Sequence, residues 1–172
     1  MTPNEYQIAA FKFAVYPQES AFEYLTLALM GECGELCNVY KKSLRNGEPY
    51  RDRIVDESGD VLWYIAAIAS ETGKAMETVV AYTRMERKSN RTPFQTLINI
   101  QYFAWNCAAY LDGQSAEIFT YHGVKLAAEV LYWLSHLWSF YGITLDEVLE
   151  YNLSKLTARA QTDSIKVHER DS

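Results

Sequence analysis

The stretch that decides the fold is Arg51-Asp52-Arg53-Ile54-Val55-Asp56-Glu57-Ser58-Gly59-Asp60-Val61-Leu62-Trp63-Tyr64-Ile65-Ala66-Ala67-Ile68-Ala69-Ser70-Glu71-Thr72-Gly73. Apolar residues recur in it every three or four positions, the period of a helix face and not of a strand. Gly73 then stops the pattern. Two of its acids, Glu57 and Asp60, stand three apart just before its long apolar run. Acids at that spacing share one side of a helix.

The same period runs outward in both directions. It predicts helices over Pro3 to Tyr16, Ser20 to Leu44, Tyr50 to Thr72 and Met76 to Lys88. Further helices follow from Pro93 to Leu111, Ser115 to Tyr141 and Leu145 to Gln161, with stops at Asn46-Gly47, Asp112-Gly113 and Gly142. Thr144 is the expected N-cap of the last helix, with Glu147 three residues on. The expected fold class is therefore all-α. Four prolines and eight glycines in 172 residues leave little room for anything else.

An offset of 69 residues brings Asp60-Val61-Leu62-Trp63-Tyr64 onto Glu129-Val130-Leu131-Tyr132-Trp133. It also brings Ser70, Gly73, Val79 and Tyr82 onto Ser139, Gly142, Val148 and Tyr151. Two tandem repeats over 1–91 and 92–161, with a polar tail at 162–172, account for this. Chance similarity of two amphipathic helix pairs is the alternative.

Composition narrows the class of function. Hydrophobic residues make up 49% and charged residues 22%, a globular balance. A net charge of −6 without a long basic run speaks against binding nucleic acid. The most apolar stretch, Val130 to Leu145, is too short and too polar for a membrane span. No targeting segment is expected. Cys33, Cys37 and Cys107 are an odd number with no Cys/His cluster, which suggests reduced thiols in the cytoplasm. Fourteen per cent aromatic residues suggest a heavy core, a subunit interface, or both.

A second acid pair, Glu32 and Glu35, lies in Gly31-Glu32-Cys33-Gly34-Glu35-Leu36 on the preceding long helix. On antiparallel neighbours the two pairs would converge, and so much unpaired negative charge is prohibitive in an interior. Divalent cations resolve the conflict, and all-oxygen ligands select Mg²⁺ or Mn²⁺. Gly31, Gly34, Ser58 and Gly59 are small neighbours that would leave space for ions, water and phosphate. The alternative is a pair of solvated acidic faces. A di-iron bundle is disfavoured, because none of His122, His136 and His168 stands three residues after a Glu.

The E-x-x-E, spacer, E-x-x-D, Val-Leu-Trp-Tyr pattern resembles the all-α nucleoside triphosphate pyrophosphohydrolases of the MazG type. Asn4-Glu5-Tyr6-Gln7, Tyr16-Pro17, Tyr24-Leu25 and Lys41-Lys42 extend the resemblance over residues 3–91. It implies a helical bundle that hydrolyses an NTP or dNTP to the monophosphate and pyrophosphate, with Mg²⁺ or Mn²⁺ as cofactor. It implies Glu32, Glu35, Glu57 and Asp60 as metal ligands, one of which takes the water proton. Phage members of this compact kind include enzymes for guanine nucleotides, so dGTP or GTP is the expected substrate. A dUTP- or dCTP-directed enzyme and a non-catalytic helical interaction protein are the alternatives. Relatives form dimers or tetramers, and a homo-oligomer is expected.

The family's N-x-x-K-L-x-x-R pattern is interrupted in the first repeat, where Thr83 and Glu86 stand for Asn and Lys. The second repeat keeps it as Asn152, Lys155, Leu156 and Arg159. It has lost the acids instead: Gln101, Ala104 and Leu126 stand where Glu32, Glu35 and Glu57 would, and only Glu129 remains, opposite Asp60. This division suggests a pseudo-dimer with one composite site, in which Lys155 and Arg159 hold phosphate oxygens. Capping of the helix C-terminus is their other reading. Lys41 and Lys42 are further candidates for the phosphate tail, or a solvated face. Asn38 bonds either a ligand or its helix neighbour. Phe13, Tyr16, Tyr24 and Trp63 either stack on a base or pack the core.

Overall fold

The computed structural model describes the backbone of residues 1–47, 50–83, 90–111 and 116–162, with side chains except at 111, 116–119 and 121. Among them are seven α-helices and one short 3-10 turn: α1 Pro3–Phe11, α2 Ala21–Asn46, α3 Arg51–Glu71, α4 Met76–Thr83, α5 Pro93–Leu111, α6 Ala116–Tyr141 and α7 Leu145–Gln161. The all-α expectation holds. The expected continuation of α4 to Lys88, with Glu86, the Asp112-Gly113 stop and the tail at 163–172 lie outside the described residues.

Local chemistry explains most of the boundaries. Thr2 and Glu5 form a reciprocal capping box at the start of α1. Thr144 Oγ1 accepts from the Glu147 amide at 3.3 Å. Gly73 and Gly142 take left-handed φ values of 66° and 61°. That conformation lets Lys74 N–H reach Ala69 O at 2.7 Å and Ile143 N–H reach Trp138 O at 3.1 Å, closing α3 and α6 alike.

The first helix is shorter than its pattern predicts. It ends at Phe11, not Tyr16. Pro17 disfavours helical backbone at Tyr16. The chain instead turns back through Phe13 N–H to Ala10 O and Ala14 N–H to Phe11 O, at 3.1 Å each. Ala14 and Tyr16 are thereby buried.

The helices α2, α3, α5 and α6 form a closed bundle, α2 lying against α3 and α5, and α6 against α5 and α3. The shorter helices cross over: α4 packs chiefly on α6, and α7 packs on α3. Each half of the chain thus places its last helix on the long helix of the other. Burial also repeats at the 69-residue offset, with Ser58, Val61, Leu62, Ile65 and Ile68 matching Ala127, Val130, Leu131, Leu134 and Leu137. In α5 the burial pattern matches α2 at an offset of 71 instead, Leu29, Cys33 and Leu36 corresponding to Ile100, Ala104 and Cys107. Structurally, then, Phe103 and Asn106, not Gln101 and Ala104, stand where Glu32 and Glu35 stand in α2. The acids are absent from α5 in either register.

Candidate metal and phosphate site

Glu32 on α2 and Glu57 and Asp60 on α3 form one acidic group, with a carboxylate oxygen from each lying within 4.8 Å of the others. The group is partly enclosed, and Glu57 is only 8% exposed. Burial is the largest influence on Glu32 and the charges of Asp60 and Glu57 add to it, together pushing its carboxyl up to about 7.

The site is completed from the far end of the chain. Lys155 Nζ on α7 lies 2.7 Å from both Asp56 and Asp60. Burial acts to lower the Lys155 ammonium, but these two hydrogen bonds outweigh it and hold the group above its ordinary range. Asn152, one turn earlier, is fully buried. Its Nδ2 donates to Asp60 Oδ1 at 3.2 Å, while its Oδ1 accepts from the Tyr6 hydroxyl at 2.7 Å. A relay from α1 through α7 therefore orients one acid on α3. On the other flank, Arg53 donates to Glu57 at 3.0 Å. That contact is the main reason its guanidinium is held above its usual value.

Counting charges tests whether a cation suits the site. Asp56, Glu57, Asp60 and Glu32 face two cations, Arg53 and Lys155. With all four acids ionised, two negative charges remain uncompensated. One divalent cation would balance them, and the donors are all hard carboxylate oxygens. The residues therefore fit Mg²⁺ or Mn²⁺.

The remaining candidates separate. Glu35 stands outside the 4.8 Å acidic group and is exposed, with its carboxylate accepting weakly from Asn38 at 3.4 Å. Asn38 is thus bound to its helix neighbours, and its Oδ1 takes a hydrogen from Lys41 at 2.8 Å. Lys41 and Lys42 are exposed on α2, and Arg159 is exposed one turn beyond Lys155. The Tyr16 hydroxyl donates to Glu71 at 2.6 Å and Trp63 Nε1 donates to Ala10 O at 3.1 Å, so both tie α3 to the segment at and after α1.

Among the four aromatic candidates, Tyr24 is the ring open to solvent, 45% exposed and stacked on Tyr16 at 5.5 Å. The Tyr64 hydroxyl is held above its normal range, by burial first and by Tyr24, Glu32 and Asp60 after it. Of the four small residues expected to leave space, Gly31 does, with nothing within 4 Å of a Cβ there, and Gly34 has only Gln101 Nε2 at 3.5 Å, but Ser58 and Gly59 do not. Gly59 faces Asn152, and Ser58 Oγ accepts from Trp138 Nε1 at 2.9 Å. Both serve helix packing because α7 and α6 come so close to α3.

Sequence reasoning missed Asp56, Arg53, Tyr6 and Tyr64. Asp56 and Tyr64 stand one helical turn on either side of Asp60, a spacing that could have flagged both. Tyr6 carried no local signal, since its partner is 146 residues away.

A bundle whose facing helices carry a convergent carboxylate group is a class of metal-dependent enzyme scaffold. Comparison with known proteins gives the family. Residues 20–94 match the MazG nucleotide pyrophosphohydrolase domain. The chain is 38% identical over 85 residues to the Gene 37 protein of Mycobacterium phage L5, covering 43% of this chain and 75% of that protein. The chain belongs to the MazG family. No solved structure matches it. No helix among the described residues is long and apolar enough to cross a membrane.

Proposed function

We propose that this chain hydrolyses a nucleoside triphosphate to the monophosphate and pyrophosphate at a single site built from both halves. One observation carries the reading: Asn152 and Lys155 of α7 meet Asp60 of α3. The crossover of α7 onto α3 and family membership support it. The two halves then act as a pseudo-dimer, the first holding the cation and the second supplying positive charge for phosphate.

In this reading Glu32, Glu57 and Asp60 hold Mg²⁺ or Mn²⁺, with Glu35 at the open edge. The bound cation would lower the pKa of a water and screen charge on the phosphates. Asn152, fixed by Tyr6, keeps Asp60 in one orientation. Lys155 is the counter-charge of Asp56 and Asp60 in the free protein and binds phosphate oxygens when substrate arrives, with Arg159 further out. One of these carboxylates takes the proton from water in this reading. Tyr24 and Tyr64 supply a ring face for the base. Guanine nucleotides are the proposed substrates.

The test is product analysis. Each of the eight common NTPs and dNTPs is incubated with the protein and Mg²⁺ or Mn²⁺, and products are resolved by chromatography. Monophosphate with pyrophosphate, strongest for dGTP or GTP, is expected. Diphosphate with orthophosphate would overturn the assignment of the α-phosphorus, and uniform inactivity would favour the interaction-protein alternative.

A further inference from the structure

Helix α7 is tied at its start by one side chain from the other half of the chain. Arg51, the first residue of α3, donates to both carboxylate oxygens of Glu147 in the first turn of α7, at 2.6 and 2.7 Å. The same guanidinium donates to the carbonyl oxygens of Tyr141 and Gly142, at 3.1 Å each. Carbonyls at a helix end have no partner within their own helix. One rigid fork therefore gathers the end of α6 and the start of α7 and fixes the bend between them to α3. Each partner holds the other ionised: Arg51 is the main reason the Glu147 carboxyl lies below its ordinary value, and Glu147 the main reason the Arg51 guanidinium lies above its own.

Resting on the composite-site reading, we propose that Arg51 and Glu147 are positioning residues for the reaction: they set the roll and register of α7 on α3, so that Lys155 stays over the acids when it exchanges Asp56 and Asp60 for phosphate oxygens. Two arguments support this. First, α7 needs such an anchor. Its buried side chains are Val148, Leu149, Asn152 and Leu156, and apolar burial alone is non-directional. A roll of one residue, about 100°, would carry Lys155 off α3. Lys155 cannot anchor itself during turnover, because it must leave Asp56 and Asp60 to meet the phosphates. The Arg51–Glu147 pair lies outside the acidic group, two helical turns before Lys155, and is untouched by that exchange. Second, the equivalent crossing of α4 onto α6 has no such pair. At the 69-residue offset Thr120 and Thr78 stand for Arg51 and Glu147, and two threonines form no ion pair. That repeat also has Glu86 in place of Lys155. The anchor accompanies the lysine it would position.

A double-mutant cycle on the full chain tests this. Arg51→Ala and Glu147→Ala are each made alone and together with Lys155→Met, and kcat/KM is measured with Mg²⁺ and the nucleotide that the wild type turns over fastest. Each single variant should lose at least about 10-fold, the scale of a small misplacement of a reacting group. The unfolding temperature should stay within a few degrees, because both side chains are more than one-third exposed. Beside Lys155→Met the further loss should fall below about twofold, since the residue being positioned is gone. A second readout needs neither metal nor nucleotide. The Lys155 side chain is 14% exposed, and its acetylation by an amine-reactive ester, followed by mass spectrometry against exposed Lys42, should quicken at least about fivefold in both single variants as α7 loosens. Unchanged turnover in the single variants, a loss that persists in full beside Lys155→Met, or an unchanged rate of Lys155 acetylation would each overturn the proposal. A Lys155→Met variant as active as the wild type would overturn the composite site itself, and this proposal with it.

Discussion

Replacing Gly59 by Ala inserts one methyl group where two helices touch. A Cβ there would lie 2.9 Å from Asn152 Cβ, 3.0 Å from its Nδ2 and 3.3 Å from its Cγ. Carbon atoms in good contact stand about 3.5–4.0 Å apart, so α3 and α7 must separate by roughly 0.6 Å or more. Asn152 has little freedom to move aside, because it is fully buried and held at one end by Tyr6 and at the other by Asp60. Overpacking of this kind costs about 1–3 kcal/mol. Against it stands the helix preference of Ala over Gly, about 1 kcal/mol.

Gly31→Ala on α2 separates the two effects, since nothing lies within 4 Å of a Cβ there. Gly31→Ala should stabilise by up to about 1 kcal/mol. Gly59→Ala should fall below it by the overpacking cost, about 1–3 kcal/mol. For a chain of this size that is roughly 2–12 °C in unfolding temperature. Thermal and urea unfolding in metal-free buffer measure the difference. If Gly59→Ala were as stable as Gly31→Ala, the wedged position of Asn152 against α3 would be wrong.

Four further outcomes follow from the site. Glu32 is raised from 4.5 to about 7, so the folded protein holds a proton that the unfolded chain has released between those values. The Glu32 contribution is therefore fully present below about 4.5 and is lost as pH rises through about 7, and unfolding curves should show Glu32→Gln more stable than wild type at pH 8 and equal at pH 4. The same proton competes with the cation, so the rise in unfolding temperature on adding Mg²⁺ should shrink as pH falls below about 7. Lys155→Met leaves Asp56 and Asp60 facing each other without their shared cation, which in this partly buried setting costs roughly 1–3 kcal/mol, and saturating Mg²⁺ should restore part of it in the same unfolding assay. Tyr6→Phe keeps the ring but strips the buried Asn152 Oδ1 of its donor, a loss of about 1–3 kcal/mol. Calorimetric titration should show weaker Mg²⁺ binding in that variant, with a milder effect in Tyr82→Phe, whose hydroxyl meets Glu129 outside the acidic group.

The helices were legible because their stops are chemical: Gly47, Gly73 and Gly142 each end an element by taking a left-handed φ. The acids of α2 and α3 were legible because spacing of three puts a pair on one helix side, and Glu32, Glu57 and Asp60 do converge. Spacing could not tell which of several acids on a turn points inward. Thus Glu35 sits at the exposed edge, while Asp56, one turn before Asp60, shares Lys155 with it. Nor does any local rule say that α7 crosses to α3, and that packing choice gives Asn152, Tyr6 and Gly59 their roles. The end of α1 is not legible, because the apolar period continues to Tyr16 while the chain leaves the helix at Phe11, and Pro17 bars helical backbone only at Tyr16.

The account rests on α7 completing a site whose acids lie on α2 and α3. The most direct measurement is kcat/KM of Lys155→Met beside the wild type, at saturating Mg²⁺ and with circular dichroism confirming the fold of both. A loss of about 10²-fold or more is expected for removing a charge that meets the reacting phosphates. Turnover equal to the wild type would show that the second half supplies no part of the chemistry, and the composite site would have to be abandoned.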